Sequence, residues 1–396
     1  MRQMNPIRAA LVSSDTSLQS GAAHCLLRLA IGLRDLGHEP VLLLSDLTGI
    51  AVGAKQAGIE VYRMRARRPA LRRGWRGVAE WVINFPGSTV ALARQLHHLR
   101  VSVVHANEFI ELQAGVAARL MRLPCVYHVR WLLGTSLAER CVARLVTMLS
   151  GGLIFVSEGS RGAFDRAAGV TRGGKPAWVI DDPGPGHVET DPRARDEVRM
   201  EFGLPAESLL VLQVCKLTPD KGQDTFLEAA ARVVSRMPEA AFVIAGGETP
   251  GHEQYASHLA ALASQEPLRG KVVLAGFRGD IPRLMGAADL VVHCPSRTEA
   301  FAGAVVEAMA TGRAVVGVDM GGIADRVENE VTGILVRPGD VEELAQAILR
   351  VLGDADLRMR LGAAARRKYE SRYSAAEHAA AVSGVYAHLI KTARGA

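Results

Sequence analysis

The chain has 396 residues, of which 48% are hydrophobic, and its formal net charge is +6. This length suggests about two domains, each with enough apolar residues for its own core. No apolar run reaches the roughly 18 residues of a membrane-spanning helix, and the first residues lack the continuous apolar segment of a signal peptide. We therefore expect a cytoplasmic protein.

The basic balance suits nucleic acid, an anionic lipid or an anionic small substrate. The sequence has no zinc-finger spacing, helix-turn-helix signal or basic-aromatic strand pattern, so we expect no nucleic-acid partner. The five cysteines are widely spaced and include no C-x-x-C pair. We expect most of them to be small core residues rather than disulfides or metal ligands.

Short runs of Val, Ile and Leu alternate with helical patterns along the whole chain. In the first half they cover residues 7–12, 40–45, 101–106, 124–129, 152–157 and 177–180. In the second half they cover residues 209–214, 241–246, 272–277, 290–294, 314–318 and 333–336. Continuous apolar runs are typical of parallel strands buried on both faces. The pattern therefore predicts an α/β protein with two doubly wound domains.

Prolines, glycines and charges replace this pattern between residues 180 and 205. We place the boundary near residue 188, which gives an N-terminal domain of residues 1–188 and a C-terminal domain of residues 189–373. Residues 374–396 have a helical period and could pack on either domain, including back on the first. Because parallel sheets bind ligands at the carboxyl ends of their strands, two such domains would enclose a cleft.

The loop after the first strand leads into an amphipathic helix at Gly21. The exposed N–H groups and the positive end of the helix dipole would favour an anion there. A purely steric role for this glycine is an equal alternative, since glycine is common at strand-to-helix turns.

Lys216 and Lys221 flank a short turn between a buried strand and a helix that begins near Gly222. Two ammonium groups beside a helix start can bind a diphosphate. The alternative is a pair of solvated surface lysines. Only seven residues of this chain are lysine, and this scarcity favours the phosphate interpretation.

A third segment, residues 297–312, combines two carboxylates with a helix start. Glu299 lies in the loop before the predicted helix and Glu307 about one turn inside it. The N–H groups around Phe301, Ala302, Gly303 and Ala304 are the unpaired donors of that helix. Backbone donors for phosphate and acceptors for hydroxyls together suit a sugar nucleotide.

Residues 205–373 resemble the nucleotide-binding domain of retaining glycosyltransferases of the GT-B fold, particularly glycosyltransferase family 4. The E-x7-E motif of that family is matched by Glu299, Ala300, Phe301, Ala302, Gly303 and Glu307. Its lysine motif is matched by Cys215, Lys216, Leu217, Lys221 and Gly222. The first half resembles the acceptor domain through the helix at Gly21 and the strand that carries His128. The implied fold is GT-B, with two Rossmann-like domains facing across a cleft.

The resemblance implies a role for each matched residue of the C-terminal domain. Lys216 and Lys221 would bind the donor diphosphate and stabilise its charge as it leaves. Glu299 would contact hydroxyls of the donor sugar, and Glu307 those of the ribose. The donor-binding residues would further include Phe301, Ala302, Gly303 and Ala304 as N–H donors, with Phe277 and Arg278 near the base.

In the N-terminal domain, Gly21 would let the backbone approach the phosphates, and His128 would lie beside the sugar and the acceptor as a catalytic residue. A buried structural histidine is the alternative for His128. The sequence departs from the family at Cys215, Ala300 and Ala302, where the family has glycine, and at Lys216, where it has arginine. Asp181 and Asp182 stand where the family has an I-P-N-G segment.

The implied activity is transfer of a sugar from a nucleotide-diphosphate sugar to a hydroxyl acceptor with retention of configuration. Lysines and helix dipoles can stabilise the leaving phosphate without a metal, and we expect neither a metal nor a cofactor. The alternatives are a sugar-nucleotide epimerase or phosphorylase with the same phosphate site, or a binding subunit that has lost catalysis.

Residues 62–86 contain seven arginines and two tryptophans. This composition is typical of a segment that contacts an anionic membrane surface or an anionic acceptor. The alternative is a solvated loop. The hypothesis is that this segment recruits a lipid-linked or otherwise anionic acceptor to a peripheral enzyme.

Overall fold

The computed structural model describes residues 6–18, 20–66, 74–169, 175–186, 191 and 193–395. Contacts divide the chain into two compact units. Unit 1 comprises Met1–Pro183 and Ser374–Ala396, and unit 2 comprises Gly184–Tyr373. The boundary predicted near Val188 lies outside the described residues. No helix in the described part is long and apolar enough to cross a membrane.

In the described part of unit 1, seven parallel strands form one sheet in the order β3-β2-β1-β4-β5-β6-β7. They are β1 (Arg8–Ser13), β2 (Glu39–Leu44), β3 (Glu60–Arg63), β4 (Val103–Ala106), β5 (Cys125–Val129), β6 (Gly152–Phe155) and β7 (Ala177–Val179). The helices, numbered along the whole chain, are α1 (Gly21–Asp35), α2 (Ile50–Gln56), α3 (Gly74–His98), α4 (Leu112–Leu120), α5 (Leu137–Leu149), α6 (Glu158–Ala168) and α15 (Ala375–Gly395). The predicted doubly wound fold of this unit is confirmed.

The sheet of unit 2 has six parallel strands among the described residues, in the order β10-β9-β8-β11-β12-β13. They are β8 (Leu209–Val214), β9 (Ala240–Ala245), β10 (Val272–Gly276), β11 (Leu290–His293), β12 (Val315–Val318) and β13 (Ile334–Val336). The helices are α7 (Ala194–Glu201), α8 (Gln223–Val234), α9 (Glu253–Ala263), α10 (Ile281–Ala287), α11 (Gly303–Ala310), α12 (Gly321–Ala324), α13 (Val341–Gly353) and α14 (Ala355–Arg372). Unit 2 is also doubly wound, as predicted.

Strand β3 and helix α7 were not predicted. Strand β3 lies at the edge of its sheet and only Val61 is even partly buried, so it lacks an apolar run. Helix α7 falls within the predicted interdomain break because it is mostly charged. Its Arg199 is nevertheless buried, since the guanidinium pairs with Asp289 at 2.7 Å.

The C-terminal helix α15 belongs to unit 1, where it packs against α1. Gly32 of α1 makes this approach possible, because an added Cβ would lie 2.7 Å from the Cβ of Ala379. Val382, Tyr386 and Leu389 extend the core that α1 and the sheet share. Unit 1 is therefore built from two segments that are distant in the sequence.

Candidate active site

The two motifs of unit 2 lie where the order of its sheet reverses. Strand β8 is followed on one side by β9 and β10, and its other neighbour is β11. The two lysines follow β8. The loop of residues 294–302, called the Glu299 loop, follows β11. Ligands bind parallel α/β sheets at the carboxyl ends of the strands that flank such a reversal.

Gly222 brings the loops after β8 and β11 into contact. It has a φ of 72° and follows a 3-10 turn formed by Pro219–Lys221. A Cβ at this position would lie 1.9 Å from the carbonyl oxygen of Cys294. Glycine is therefore required both by the left-handed backbone and by the close approach, and Lys221 is fixed next to the Glu299 loop.

The Glu299 carboxylate has two hydrogen-bond partners, Lys221 and His293. Lys221 donates a short hydrogen bond from Nζ to Glu299 Oε1, and His293 Nε2 lies 2.8 Å from Glu299 Oε2. The Glu299 and Lys221 side chains are 16% and 25% exposed. A carboxylate and an ammonium are thus held together at the edge of the sheet with part of each still in solvent.

The pKa values of the pair follow from these contacts. Burial alone would raise the pKa of Glu299, but His293 and Lys221 lower it to about 2. Burial would likewise lower the pKa of Lys221, but the Glu299 carboxylate outweighs it and the pKa is raised. Both groups are therefore charged at neutral pH, and Glu299 can accept hydrogen bonds but not donate a proton.

Two glycines of α12 support the Glu299 loop. The N–H of Gly322 donates to the Glu299 carbonyl oxygen at 2.8 Å. A Cβ on Gly321 would lie 2.4 Å from Thr298 Cγ2, and one on Gly322 would lie 2.8 Å from the backbone of Ala300. The loop therefore rests directly on the backbone of α12, which fixes the position of the carboxylate.

Helix α11 begins directly after this loop. Ala302, its N-cap residue, has a φ of 60° and a ψ of 60°, and no side chain caps the helix. Gly303 is exposed and Ala304 is half-buried. The Phe301 ring packs under the buried guanidinium of Arg326, 4.1 Å from its centroid. Glu307 is half-buried in the second turn.

The remaining predicted residues of unit 2 differ in exposure. Lys216 is exposed and forms no ion pair among the described residues. Phe277 follows the edge strand β10 and is 51% exposed. The Arg278 guanidinium pairs with Glu201 at 2.6 Å and with Asp280 at 2.7 Å, so its charge is already balanced within unit 2.

In unit 1, Gly21 is the first residue of α1. The Ser20 hydroxyl caps the helix by accepting from the N–H of Ala23. A Cβ on Gly21 would meet no described atom within 4 Å. Packing against the described residues of unit 1 therefore does not account for glycine at this position, and the anion-binding role of Gly21 stays a prediction.

His128 is fully buried at the end of β5, inside a cluster of unit 1. Its Nδ1 lies 3.0 Å from a guanidinium nitrogen of Arg130, and its ring stacks on that of His378 with centroids 5.9 Å apart. The ring of His105 lies edge-on at 5.4 Å. Burial, Arg130 and the neighbouring histidines hold the pKa of His128 well below its usual range.

Arg130 connects the strand ends of this cluster. Its Nε donates to Asp182 at 2.7 Å, and its NH1 donates to the side-chain oxygen of Asn107, also at 2.7 Å. The Arg130 and Asp182 side chains are 5% and 4% exposed. Asp182 stands where the family has an I-P-N-G segment. Its carboxylate balances the buried charge of the Arg130 guanidinium in unit 1. The catalytic role of His128 stays a prediction carried by the family resemblance.

His293 and Arg130 were not identified from the sequence. Each stands at or directly after the end of a buried strand, and that position was the available signal. Among the described residues, no group of three or more His, Cys, Asp or Glu side chains is arranged to hold a metal ion.

Comparisons with known proteins give a family-model match for each unit. The model of the glycosyl transferases group 1 matches residues 194–368, and that of the glycosyl transferase 4-like domain matches residues 20–172. The two family models thus cover most of both units.

Two curated relatives come from Streptomyces kanamyceticus. Its alpha-D-kanosaminyltransferase is 32% identical over 204 residues, which is 51% of each chain. Its 2-deoxystreptamine glucosyltransferase is 28% identical over 354 residues, covering 83% of this chain and 89% of that one. The match thus spans about half the length of the first relative and most of the second.

A crystal structure of Anabaena Alr3699/HepE in complex with UDP has a TM-score of 0.80 and 25% identity, and the match covers 96% of this chain and 100% of that one. A second structure of the same protein contains UDP-glucose. Two Rossmann-like units with this likeness define the GT-B class of fold. The chain belongs to the glycosyltransferases of group 1, of the family 4 type.

Proposed function

We propose that this chain is a retaining, metal-independent glycosyltransferase that moves a sugar from a nucleotide-diphosphate sugar to a hydroxyl acceptor. The observation that carries the proposal is the ion pair between Lys221 and Glu299 at the sheet reversal of unit 2. It puts a cation for phosphate and an anion for sugar hydroxyls side by side, next to the uncapped start of α11.

Lys221, the exposed Lys216 and the N–H groups at the start of α11 would stabilise the diphosphate. Negative charge grows on the leaving phosphate as the glycosidic bond breaks, and fixed cations and N–H donors lower the energy of that state. These protein groups can supply the positive charge that a metal would otherwise bring. Lys221 would then exchange part of its contact with Glu299 for a phosphate oxygen.

Glu299 would accept hydrogen bonds from hydroxyls of the donor sugar, because its carboxylate stays ionised at neutral pH. Glu307, in the second turn of α11, would accept from the ribose hydroxyls. Neither carboxylate is assigned as a nucleophile. Retention is supported by the family resemblance of the E-x7-E segment.

In the proposed reaction, the bond between the anomeric carbon and the phosphate oxygen breaks. The acceptor oxygen forms a new bond to that carbon on the same face of the sugar. The proton of the acceptor hydroxyl passes to the leaving phosphate oxygen, so no further base is required. Positive charge on the sugar ring in the transition state is typical of glycosyl transfer.

Calorimetric titration with UDP, GDP and ADP tests the donor site, with UDP first because the Anabaena relative binds it. We expect one of these to bind, and Lys221→Ala to weaken its binding at least about tenfold, because a hydrogen bond to a charged group contributes about 1.5–3 kcal/mol. Lys271→Ala is the matched control, since Lys271 is a lysine of the same unit that donates to the Pro238 carbonyl. The donor site is refuted if no nucleotide binds or if both variants bind equally.

Stereochemistry and metal dependence are tested separately. Proton NMR of the first product would show the same anomeric configuration as the donor. Turnover should survive EDTA with the nucleotide sugar as donor. Inversion would refute the retaining mechanism, and loss of turnover that added magnesium restores would refute metal independence.

A further inference from the structure

Residues 62–86 give no assigned partner, because four of their seven arginines, Arg67, Arg68, Arg72 and Arg73, lie outside the described residues. Recruitment of an anionic acceptor by this segment stays a prediction.

His293 holds one oxygen of the Glu299 carboxylate, and Lys221 holds the other. The imidazole Nε2 lies 2.8 Å from Glu299 Oε2, while the Lys221 ammonium donates to Oε1. An ionised carboxylate only accepts hydrogen bonds, so His293 Nε2 carries a hydrogen and donates it. Each oxygen of Glu299 therefore has its own donor, from a different part of unit 2.

These two donors differ in how firmly they are held. His293 is the last residue of β11, which lies between β8 and β12, and its side chain is 5% exposed. The Lys221 side chain is 25% exposed and stands at the end of a 3-10 turn. Fixing a lysine side chain costs more conformational entropy than fixing most other side chains. His293 is thus the more rigid of the two anchors of Glu299.

The backbone of Glu299 is held independently of His293. The Gly322 N–H donates to the Glu299 carbonyl oxygen at 2.8 Å. Gly321 brings the start of α12 so close that an added Cβ would lie 2.8 Å from the same carbonyl oxygen. These contacts fix the course of the Glu299 loop, so what the His293 bond adds is the direction of the Glu299 side chain.

We propose that His293 is a positioning residue for the donor sugar. This role rests on the proposed function, in which Lys221 turns part of its contact from Glu299 to the diphosphate. Glu299 Oε1 then loses a donor and can accept from a sugar hydroxyl, while His293 keeps Oε2 and with it the orientation of the carboxylate. Without the imidazole, the carboxylate would be free to follow the Lys221 ammonium towards the phosphate.

Calorimetric titration separates the sugar from the rest of the donor. UDP, GDP and ADP and their glucose conjugates are the probes, and the pair that wild-type protein binds is used for every variant. His293→Leu should bind the nucleoside diphosphate within about twofold of wild type, because the Lys221 ammonium remains in place. It should bind the glucose conjugate at least about fivefold more weakly, because the hydrogen bond from a sugar hydroxyl to the charged Glu299 is misdirected.

Two conservative variants distinguish positioning from packing. The amide nitrogen of glutamine stands as many bonds from Cα as Nε2 does, whereas that of asparagine corresponds to Nδ1. His293→Gln should therefore restore most of the affinity for the conjugate, and His293→Asn should not. His258→Leu is the matched control, since His258 Nε2 lies 2.9 Å from the Asp224 carboxylate in the same unit but outside the E-x7-E segment. This control should bind both probes as wild type does.

The effect of His293→Leu should also depend on Glu299. In a Glu299→Ala background, the added substitution should change the affinity for the conjugate by less than about twofold, because a positioning residue acts through the group that it holds. An equal loss in both backgrounds would overturn the proposal, as would a His293→Leu variant that binds the conjugate like wild type. Loss of nucleoside diphosphate affinity in His293→Leu would assign His293 to the fold of the loop instead. Wild-type protein that binds none of the probes would refute the proposed donor site itself, and this role with it.

Discussion

The two sheets present charged side chains at their carboxyl edges in opposite environments. In unit 1, Arg130, Asp182 and His128 are almost completely buried and contact one another. In unit 2, Lys216 is exposed, and Lys221 and Glu299 each keep a part in solvent. The same topology thus holds a closed network in one unit and an accessible ion pair in the other.

This difference shows that position at a strand end does not by itself identify a functional residue. A ligand can exchange contacts with Lys221 because its ammonium remains partly solvated. An exchange at Arg130 would leave a buried charge without its partner, which is costly. We therefore expect substitutions in the unit 1 network to reduce stability, and substitutions in the unit 2 pair to reduce donor binding.

The largest effect is expected for Asp182→Ala. Removal of this carboxylate leaves the Arg130 guanidinium buried without a counter-charge, which should reduce the stability of unit 1 by about 3–5 kcal/mol. Hydrogen exchange at the amides of β5 would measure the loss locally. Lys221→Ala should leave exchange in β5 unchanged. If Asp182→Ala reduces the stability of unit 1 by less than about 1 kcal/mol, the contact of Asp182 with Arg130 is not required to stabilise the buried guanidinium.

For each buried histidine of unit 1, a smaller effect than this is expected from pH. Burial holds the pKa values of His105 and His128 well below the ordinary value of 6.5, and that of His378 is also lowered. As pH falls, these histidines therefore bind protons at a higher pH in the unfolded chain than in the folded chain. Their contribution to stability is fully present above pH 6.5 and is lost as pH falls below it.

Each of these histidines should contribute a slope of up to about 1.4 kcal/mol per pH unit. Urea unfolding between pH 5 and pH 7.5 would measure the total slope. His378→Gln should reduce the slope, whereas His97→Gln, which replaces an exposed histidine of α3, should not. Glu299 acts in a different window, since its stabilising contribution is present above pH 4.5 and lost towards pH 2. Identical slopes for wild type and His378→Gln would contradict this assignment.

Much of this architecture could be predicted from the sequence, because buried parallel strands leave continuous apolar runs. Strand β3 could not, since an edge strand needs no such run. The contact between Lys221 and Glu299 is made across 78 residues. Strand-end positions predict that such groups share an edge of the sheet, but not which atoms meet.

The environment of His128 was the part that the sequence could not reveal. A histidine at a strand end has the same local pattern whether its ring faces solvent or the core. The burial arises from His378 of α15 and from Asp182, which are distant in sequence and meet the ring only in the folded unit. His293 was missed for a related reason, because the last residue of an otherwise apolar strand has the same local pattern whether or not it meets a carboxylate.

The smallest effect is expected at Ala302, where the family has glycine. The left-handed conformation of a residue with a Cβ costs about 1–2 kcal/mol, and glycine would remove that cost. Against this gain, glycine gives the unfolded chain more conformational freedom, which costs up to about 1 kcal/mol of stability. Ala302→Gly should therefore stabilise α11 by roughly 0.5 kcal/mol, measured by hydrogen exchange at its amides. Ala302→Val, with a branched side chain in the same conformation, should destabilise it. If glycine destabilises α11 by more than about 1 kcal/mol, packing of the Ala302 methyl group outweighs the strain, and the departure from the family is favourable in this chain.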